Sequence, residues 1–244
     1  MIYPLGRYFR MLKDELDNCV SVLATPSDAY SKIRISSRWA VPLSLNSLMY
    51  LIVSLLMMGV FRQMMSNIYA ARFGADSVNT LVSGISMASF ALILVFQAVA
   101  IPVRWIAVSS VVRIASREVP FRSILSSLLY AEIVLSLMSL TNVLLIYARG
   151  IEKVSGPSDL DLVPGLQYIV SDAANERIRY VLAQSVNLFS VWYVVTFAIG
   201  LTRLCDIPRS RSLALSCLTW TGWSLLVALW PQIQSGLSSA IGLQ

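Results

Sequence analysis

Two ionisable residues interrupt the apolar segments of this chain, and their types and spacing suggest a paired site. Arg104 lies nine residues before Arg113, and Glu132 lies eleven residues after Phe121. At a helical rise of about 1.5 Å per residue, both lie about 13–17 Å from the same membrane boundary. A lone charge at that depth is unfavourable, and pairing relieves the cost. The sequence therefore predicts contact between Arg104 and Glu132 on adjacent antiparallel helices.

This intramembrane polar pair has two interpretations. In the functional one, it is a polar site for an ion or a lipid headgroup. In the structural one, it is a clamp between helices, or the arginine snorkels towards water while the glutamate is protonated. We favour the structural interpretation.

Uncharged polar side chains also lie within the apolar segments: Asn46, Gln97, Asn142 and Asn187. Asn142 and Asn187 are close to the outer ends of their predicted helices, where they could form hydrogen bonds across the third and fourth spans. Bonds of this kind usually serve helix packing, so these amides are interpreted as packing groups together with Gln97.

Three tryptophans are placed unusually for a membrane protein. Trp192, Trp220 and Trp223 fall near the middle of the last two apolar segments, whereas tryptophan is enriched at membrane–water interfaces. They predict an aromatic cluster between these two helices, with core packing as its role.

The sequence excludes most catalytic and metal chemistry. It has no histidine, which removes Ser-His-Asp triads and HExxH zinc sites. Cys19, Cys205 and Cys217 do not have the spacing of a metal site. We therefore expect a non-enzymatic protein with no catalytic residue, metal or cofactor. Four loop carboxylates lack EF-hand spacing and are expected to be solvated: Asp159, Asp161, Asp172 and Glu176.

Composition indicates the class of protein in which these residues lie. Hydrophobic residues make up 57% of the 244 residues and charged residues 13%, against about 25% charged in soluble domains. The apolar residues form runs of about the length that crosses a bilayer. They predict an all-α polytopic membrane domain over residues 39–230 with five spans, at 39–61, 85–112, 124–147, 184–204 and 213–230.

The positive charges predict an orientation. Five spans place twelve Lys and Arg residues on the side of the N-terminus and six on the other side. By the positive-inside rule the N-terminus is cytoplasmic, and the tail at 231–244 lies outside. The net charge of +6 is explained by this topology, because no basic face interleaved with aromatics indicates nucleic-acid binding.

The first 38 residues are expected to form amphipathic helices on the cytoplasmic side. Apolar residues recur at helical spacing over residues 5–23. Thr25 and Pro26 then predict a break, a cap and a new helix start. These helices either lie on the membrane surface or pack against the cytoplasmic loops of the same chain.

Several motifs resemble those of the Ypt-interacting protein (YIP) family. The last two spans contain 186-VNLFSVW-192, 198-AIGL-201 and 208-PRSRSLA-214, where that family has an N-x-F-x-x-W helix, an I-G motif and a short basic loop. The segments 22-VLATPSDAY-30 and 119-VPFR-122 are similar to those of prokaryotic members. The resemblance covers residues 20–230, but Ala115-Ser116-Arg117 stands where the family has a glycine pair.

The resemblance implies five spans, a cytoplasmic N-terminus and, for a prokaryotic member, the bacterial inner membrane. As partners we expect other integral membrane proteins and lipids, with a homo- or hetero-oligomer as a possible assembly. We expect a scaffold or accessory subunit that acts through helix–helix contacts, helped by small residues such as Ala198 and Gly200. The alternatives are a small transporter or channel that uses Arg104 and Glu132, and lipid or curvature sensing by the N-terminal helices.

Overall fold

The computed structural model describes residues 5–36, 39–73, 95, 99, 102–116, 119–154, 157–166 and 185–240. These residues are overwhelmingly helical and form no extended strand, so the all-α prediction is confirmed. The helices are α1 (Leu5–Ala24), α2 (Pro26–Ser36), α3 (Ala40–Phe73), α4 (102–115), α5 (Phe121–Arg149), α6 (Leu188–Leu204) and α7 (Arg209–Ala240). Two short 3-10 helices, Ile151–Lys153 and Pro157–Leu160, follow α5.

Three helices are long and apolar enough to cross a membrane, and they indicate a membrane protein. Their apolar parts are Ala40–Asn67 in α3, Phe121–Arg149 in α5 and Arg209–Leu229 in α7. The apolar helix α6 is shorter, and most of the predicted span 85–112 lies outside the described residues. The five-span count therefore stays a prediction.

Helix boundaries differ from the predicted spans where local capping decides them. Helix α6 begins at Leu188 rather than at residue 184, because Asn187 and Ser190 form a capping box. The side-chain oxygen of each residue accepts a hydrogen bond from the backbone amide of the other. These amides would otherwise have no partner in the first helical turn. Helix α7 continues to Ala240, so much of the predicted tail at 231–244 is helical.

Helix α5 is the central helix of the bundle. Residues 126–136 are buried without interruption, which a helix achieves only when neighbours cover all of its sides. Helices α3 and α6 pack along it, and α1 contacts its N-terminal half. The main apolar core joins α4, α5, α6 and α7 through residues such as Val112, Leu128 and Phe197.

The N-terminal helices pack on the helical bundle. The predicted break at Thr25 is present, although the Thr25 hydroxyl donates back to the carbonyl of Ser21 and does not cap α2. Cys19 and Val22 of α1, with Tyr30 and Ile33 of α2, form a buried cluster with Tyr130 and Ile133 of α5. Of the two predicted arrangements, these contacts favour packing within the chain. They are contacts with other helices, however, rather than with the cytoplasmic loops.

Candidate functional site

The structure brings Arg104 and Glu132 together, as the depth argument predicts. Helix α4 ends before residues 117–120 and α5 begins after them, so similar distances from that connection place the two residues side by side. Arg104 Nη2 lies 3.1 Å from Glu132 Oε1, with 12% and 1% of the two side chains exposed. The two charges form a buried ion pair.

Tyr50 of α3 provides a second contact to the carboxylate. Its hydroxyl donates to Glu132 Oε2 over 3.4 Å, which is a long bond. The Arg104–Glu132 contact itself is close but not aligned as a hydrogen bond, and Arg104 Nε has no hydrogen-bond partner within the described part of the chain. Charge attraction, rather than ideal hydrogen bonding, therefore dominates this pair.

Aromatic rings surround the Arg104 guanidinium. Its Cζ lies 5.6 Å from the ring centre of Tyr193, 5.9 Å from that of Trp220 and 5.3 Å from that of Trp223. A cation within about 6 Å of an aromatic face is attracted to it, more strongly when water is excluded. These rings partly replace the water that the guanidinium loses on burial.

Five helices meet at this site, which we name the Arg104 cluster. It consists of one or more side chains from each of α3, α4, α5, α6 and α7: Tyr50, Arg104, Glu132, Tyr193, Trp220 and Trp223. Because both charges are paired and the rings fill the surrounding space, the arrangement holds helices together. The described residues contain no group of three potential metal ligands.

The predicted tryptophan cluster differs from the observed one. Trp220 and Trp223 both contact Arg104, and Trp220 Nε1 donates to the carbonyl of Ser185 over 3.2 Å. Trp192 instead stacks on Phe189, with ring centres 6.3 Å apart. Tyr193, one residue further along α6, faces the guanidinium in its place.

Sequence reasoning missed Tyr193, although a signal for it was present. Tyr193, Phe197 and Leu201 recur every four residues and form the buried row of α6. This spacing identifies one face of a helix. Tyr50, by contrast, had no distinguishing pattern, because its role depends on how α3 packs against α5.

Asn142 and Asn187, predicted to bond across the third and fourth spans, have different partners. Asn142 donates to the carbonyl of Leu160 over 2.7 Å, and its Oδ1 accepts from the backbone amides of Leu162 and Val163. Asn187 caps α6. Both side chains form hydrogen bonds with backbone groups that have no partner within a helix. The spacing of apolar residues does not reveal such groups. Gln97 lies outside the described residues.

Asn46 makes a further polar contact between two apolar helices, α3 and α5. Its Nδ2 donates to the carbonyl of Leu129 over 2.7 Å, and its Oδ1 accepts from the Ser136 hydroxyl over 2.8 Å. The amide is fully buried. These bonds fix the register of α3 on α5, one helical turn from Tyr50.

The loop after α5 provides a prediction about pH. Burial raises the pKa of the Asp161 carboxyl to about 6, partly offset by a hydrogen bond to the Val163 backbone. A raised carboxyl pKa favours the folded state when the group is protonated, so this stability is present below the ordinary value of 3.8 and is lost as pH rises through about 6. We expect Asp161→Asn to remove that loss, which thermal unfolding in detergent between pH 4 and 7 would measure. An unchanged pH profile in the variant would contradict it.

Four small residues are exposed on α7 among larger ones such as Leu218 and Leu225, and we name this patch the small α7 face. Ala214, Cys217, Thr221 and Gly222 are exposed, and a Cβ added at Gly222 would meet nothing within 4 Å. Gly200, predicted as a contact point for partners, is instead used internally: a Cβ there would lie 2.8 Å from Tyr30 and 3.0 Å from Ser127.

These features indicate a helical membrane protein whose core holds a buried ion pair beside aromatic rings. No protein-family model, curated protein or solved structure matches the chain.

Proposed function

We propose that this chain is a non-enzymatic integral membrane scaffold or accessory subunit, which binds another membrane protein through the small α7 face. The proposal includes five spans, with the N-terminus cytoplasmic and the C-terminus outside in a bacterial inner membrane. Twelve positive residues on the N-terminal side against six on the other support that orientation.

The observation that carries the proposal is the exposure of the small α7 face. Helices in lipid associate by close packing, because lipid tails remove the hydrophobic drive to associate. Residues without bulky side chains let two backbones approach each other. On α6 this property is used inside the chain at Gly200, whereas on α7 it faces outward. A second membrane helix fits that face.

Transport through the Arg104 cluster is less well supported. A transport path needs ionisable groups that face water or a substrate. Glu132 is 1% exposed, and its partner Arg104 is enclosed by three aromatic rings. An inter-helix clamp explains the same residues without a moving charge.

The resemblance to the YIP family also supports the proposal, because its motif residues have physical uses here. Asn187 caps α6, Phe189 stacks with Trp192, and Gly200 permits the close approach of Tyr30. We propose membership of this family on the basis of these motifs.

Photocrosslinking tests the scaffold proposal. A benzoylphenylalanine at the exposed position of Leu218, four residues before Gly222 on the same helix face, would lie within the small α7 face, and irradiation of intact membranes would then link it to a partner. We expect one discrete crosslinked species, reduced about tenfold by Gly222→Leu, because the new side chain separates the two helices.

Ser47→Leu is the matched control, since Ser47 is an exposed small residue on α3. It makes a similar change away from α7 and should leave the crosslinked species unchanged. A crosslinked pattern that is diffuse, or that Gly222→Leu does not alter, would refute the proposed interface.

A further inference from the structure

A groove on the outside of the bundle lies between α2, α6 and α7. Its volume is about 420 Å³, and it is separate in its lining from the small α7 face. Its wall is apolar along α6 and α7, through Val195, Ala198, Ile199 and Leu213. Val195 and Arg203 mark its extent on α6, which is about 12 Å at the helical rise.

One end of this groove is basic. Arg203, in the last turn of α6, and Arg209, the first residue of α7, both line it and are both exposed. Arg203 Nη2 donates to the Ser27 hydroxyl over 2.7 Å, which fixes the guanidinium against α2. A guanidinium has five N–H donors, and the bond to Ser27 occupies one of them.

The charge in the groove is not balanced by its own lining. The groove is lined by two arginines and by no acidic residue. Asp206, the acid in the loop between α6 and α7, lines a different pocket together with Arg211. The basic end therefore attracts an anion, while the apolar wall beside it attracts a hydrocarbon chain.

We propose that this groove binds one anionic phospholipid. Its phosphate contacts Arg203 and Arg209, and one acyl chain lies along Val195, Ile199 and Leu213. Basic pockets between membrane helices are a recurrent binding site for anionic headgroups. The geometry matches a lipid of the leaflet on the side of α1 and α2, because the basic end lies where α6 ends and α7 begins, beside α2. Ser27 positions the Arg203 side chain for this contact.

The test uses the full chain purified in a neutral detergent and titrated with phosphatidylglycerol or phosphatidylcholine of the same acyl chains. Native mass spectrometry counts the bound lipids. Each arginine near an anionic lipid contributes an interaction worth about a fivefold change in affinity. We expect Arg209→Gln to weaken phosphatidylglycerol binding about fivefold, and the double change with Arg203→Gln to weaken it about 30-fold.

Three comparisons make the result decisive. Arg211→Gln removes the same charge from the same first turn of α7 but outside the groove, and we expect it to leave binding within about twofold of the original. Arg209→Gln alone keeps the Arg203–Ser27 bond, so its effect does not depend on undocking α2. Inorganic phosphate, added as a soluble competitor for the arginines, should not displace the lipid.

The opposite results would overturn the proposal. Equal binding of phosphatidylcholine would show that the headgroup charge is not recognised. Equal effects of Arg209→Gln and Arg211→Gln would indicate general surface attraction, and displacement by inorganic phosphate would indicate a simple anion site. None of these outcomes depends on the partner of the small α7 face, so the scaffold proposal is tested separately.

Discussion

Glu132→Ala should lower the free energy of unfolding by about 3–5 kcal/mol, because it leaves the Arg104 charge buried without its partner. The three aromatic rings would still contact the guanidinium, but cation–π attraction is smaller than the cost of a buried lone charge. Unfolding in mixed micelles of increasing denaturing detergent, followed by tryptophan fluorescence, would measure the loss.

The chain offers a matched control for this prediction. Arg149 and Asp159 form a second ion pair at 3.3 Å, but 45% and 19% of their side chains are exposed. Arg149→Gln should cost less than about 1 kcal/mol, because water solvates the partner that remains. The double variant Arg104→Met with Glu132→Met should recover most of the stability lost by Glu132→Ala. If Glu132→Ala cost no more than Arg149→Gln, the clamp interpretation would be wrong.

Gly200→Ala is expected to detach α2 from the bundle. The added Cβ would lie 2.8 Å from Tyr30 Cζ and 3.0 Å from the Cβ of Ser127. Tyr30 cannot give way easily, because it is fully buried and its hydroxyl donates to the Ser127 carbonyl over 3.1 Å. Overpacking of this kind costs about 1–3 kcal/mol.

The Cys19 thiol reports this detachment directly. It is buried beneath α2, and burial raises its pKa to about 12, so it should react slowly with a maleimide in the original chain. Gly200→Ala should accelerate labelling of Cys19 about tenfold or more, as expected when a thiol gains both access and ionisation.

Gly222→Ala is the control for the same chemical change. Its Cβ would meet nothing within 4 Å, and alanine favours a helix over glycine by about 1 kcal/mol. This variant should be as stable as the original or slightly more so. Equal stability and equal Cys19 labelling in both variants would show that the approach of α6 to Tyr30 is not constrained.

The sequence predicted the helices and the depth of their polar residues. Runs of apolar residues require helices because a bilayer cannot satisfy open backbone groups, and Pro26 marks the predicted start of α2. Similar spacing from the connection at residues 117–120 was enough to pair Arg104 with Glu132. Both predictions depend only on the rise along a helix and on the properties of lipid.

Only the tertiary structure decided which side chains surround that pair. Adjacent residues such as Trp192 and Tyr193 have the same depth, and the rotation of α6 about its axis determines that Tyr193 contacts Arg104. The partners of Asn142 depend on how the segment after α5 folds back, so that residues 160–163 contact the bundle. Helix rotation and loop return result from packing between distant segments, which the spacing along one helix does not determine.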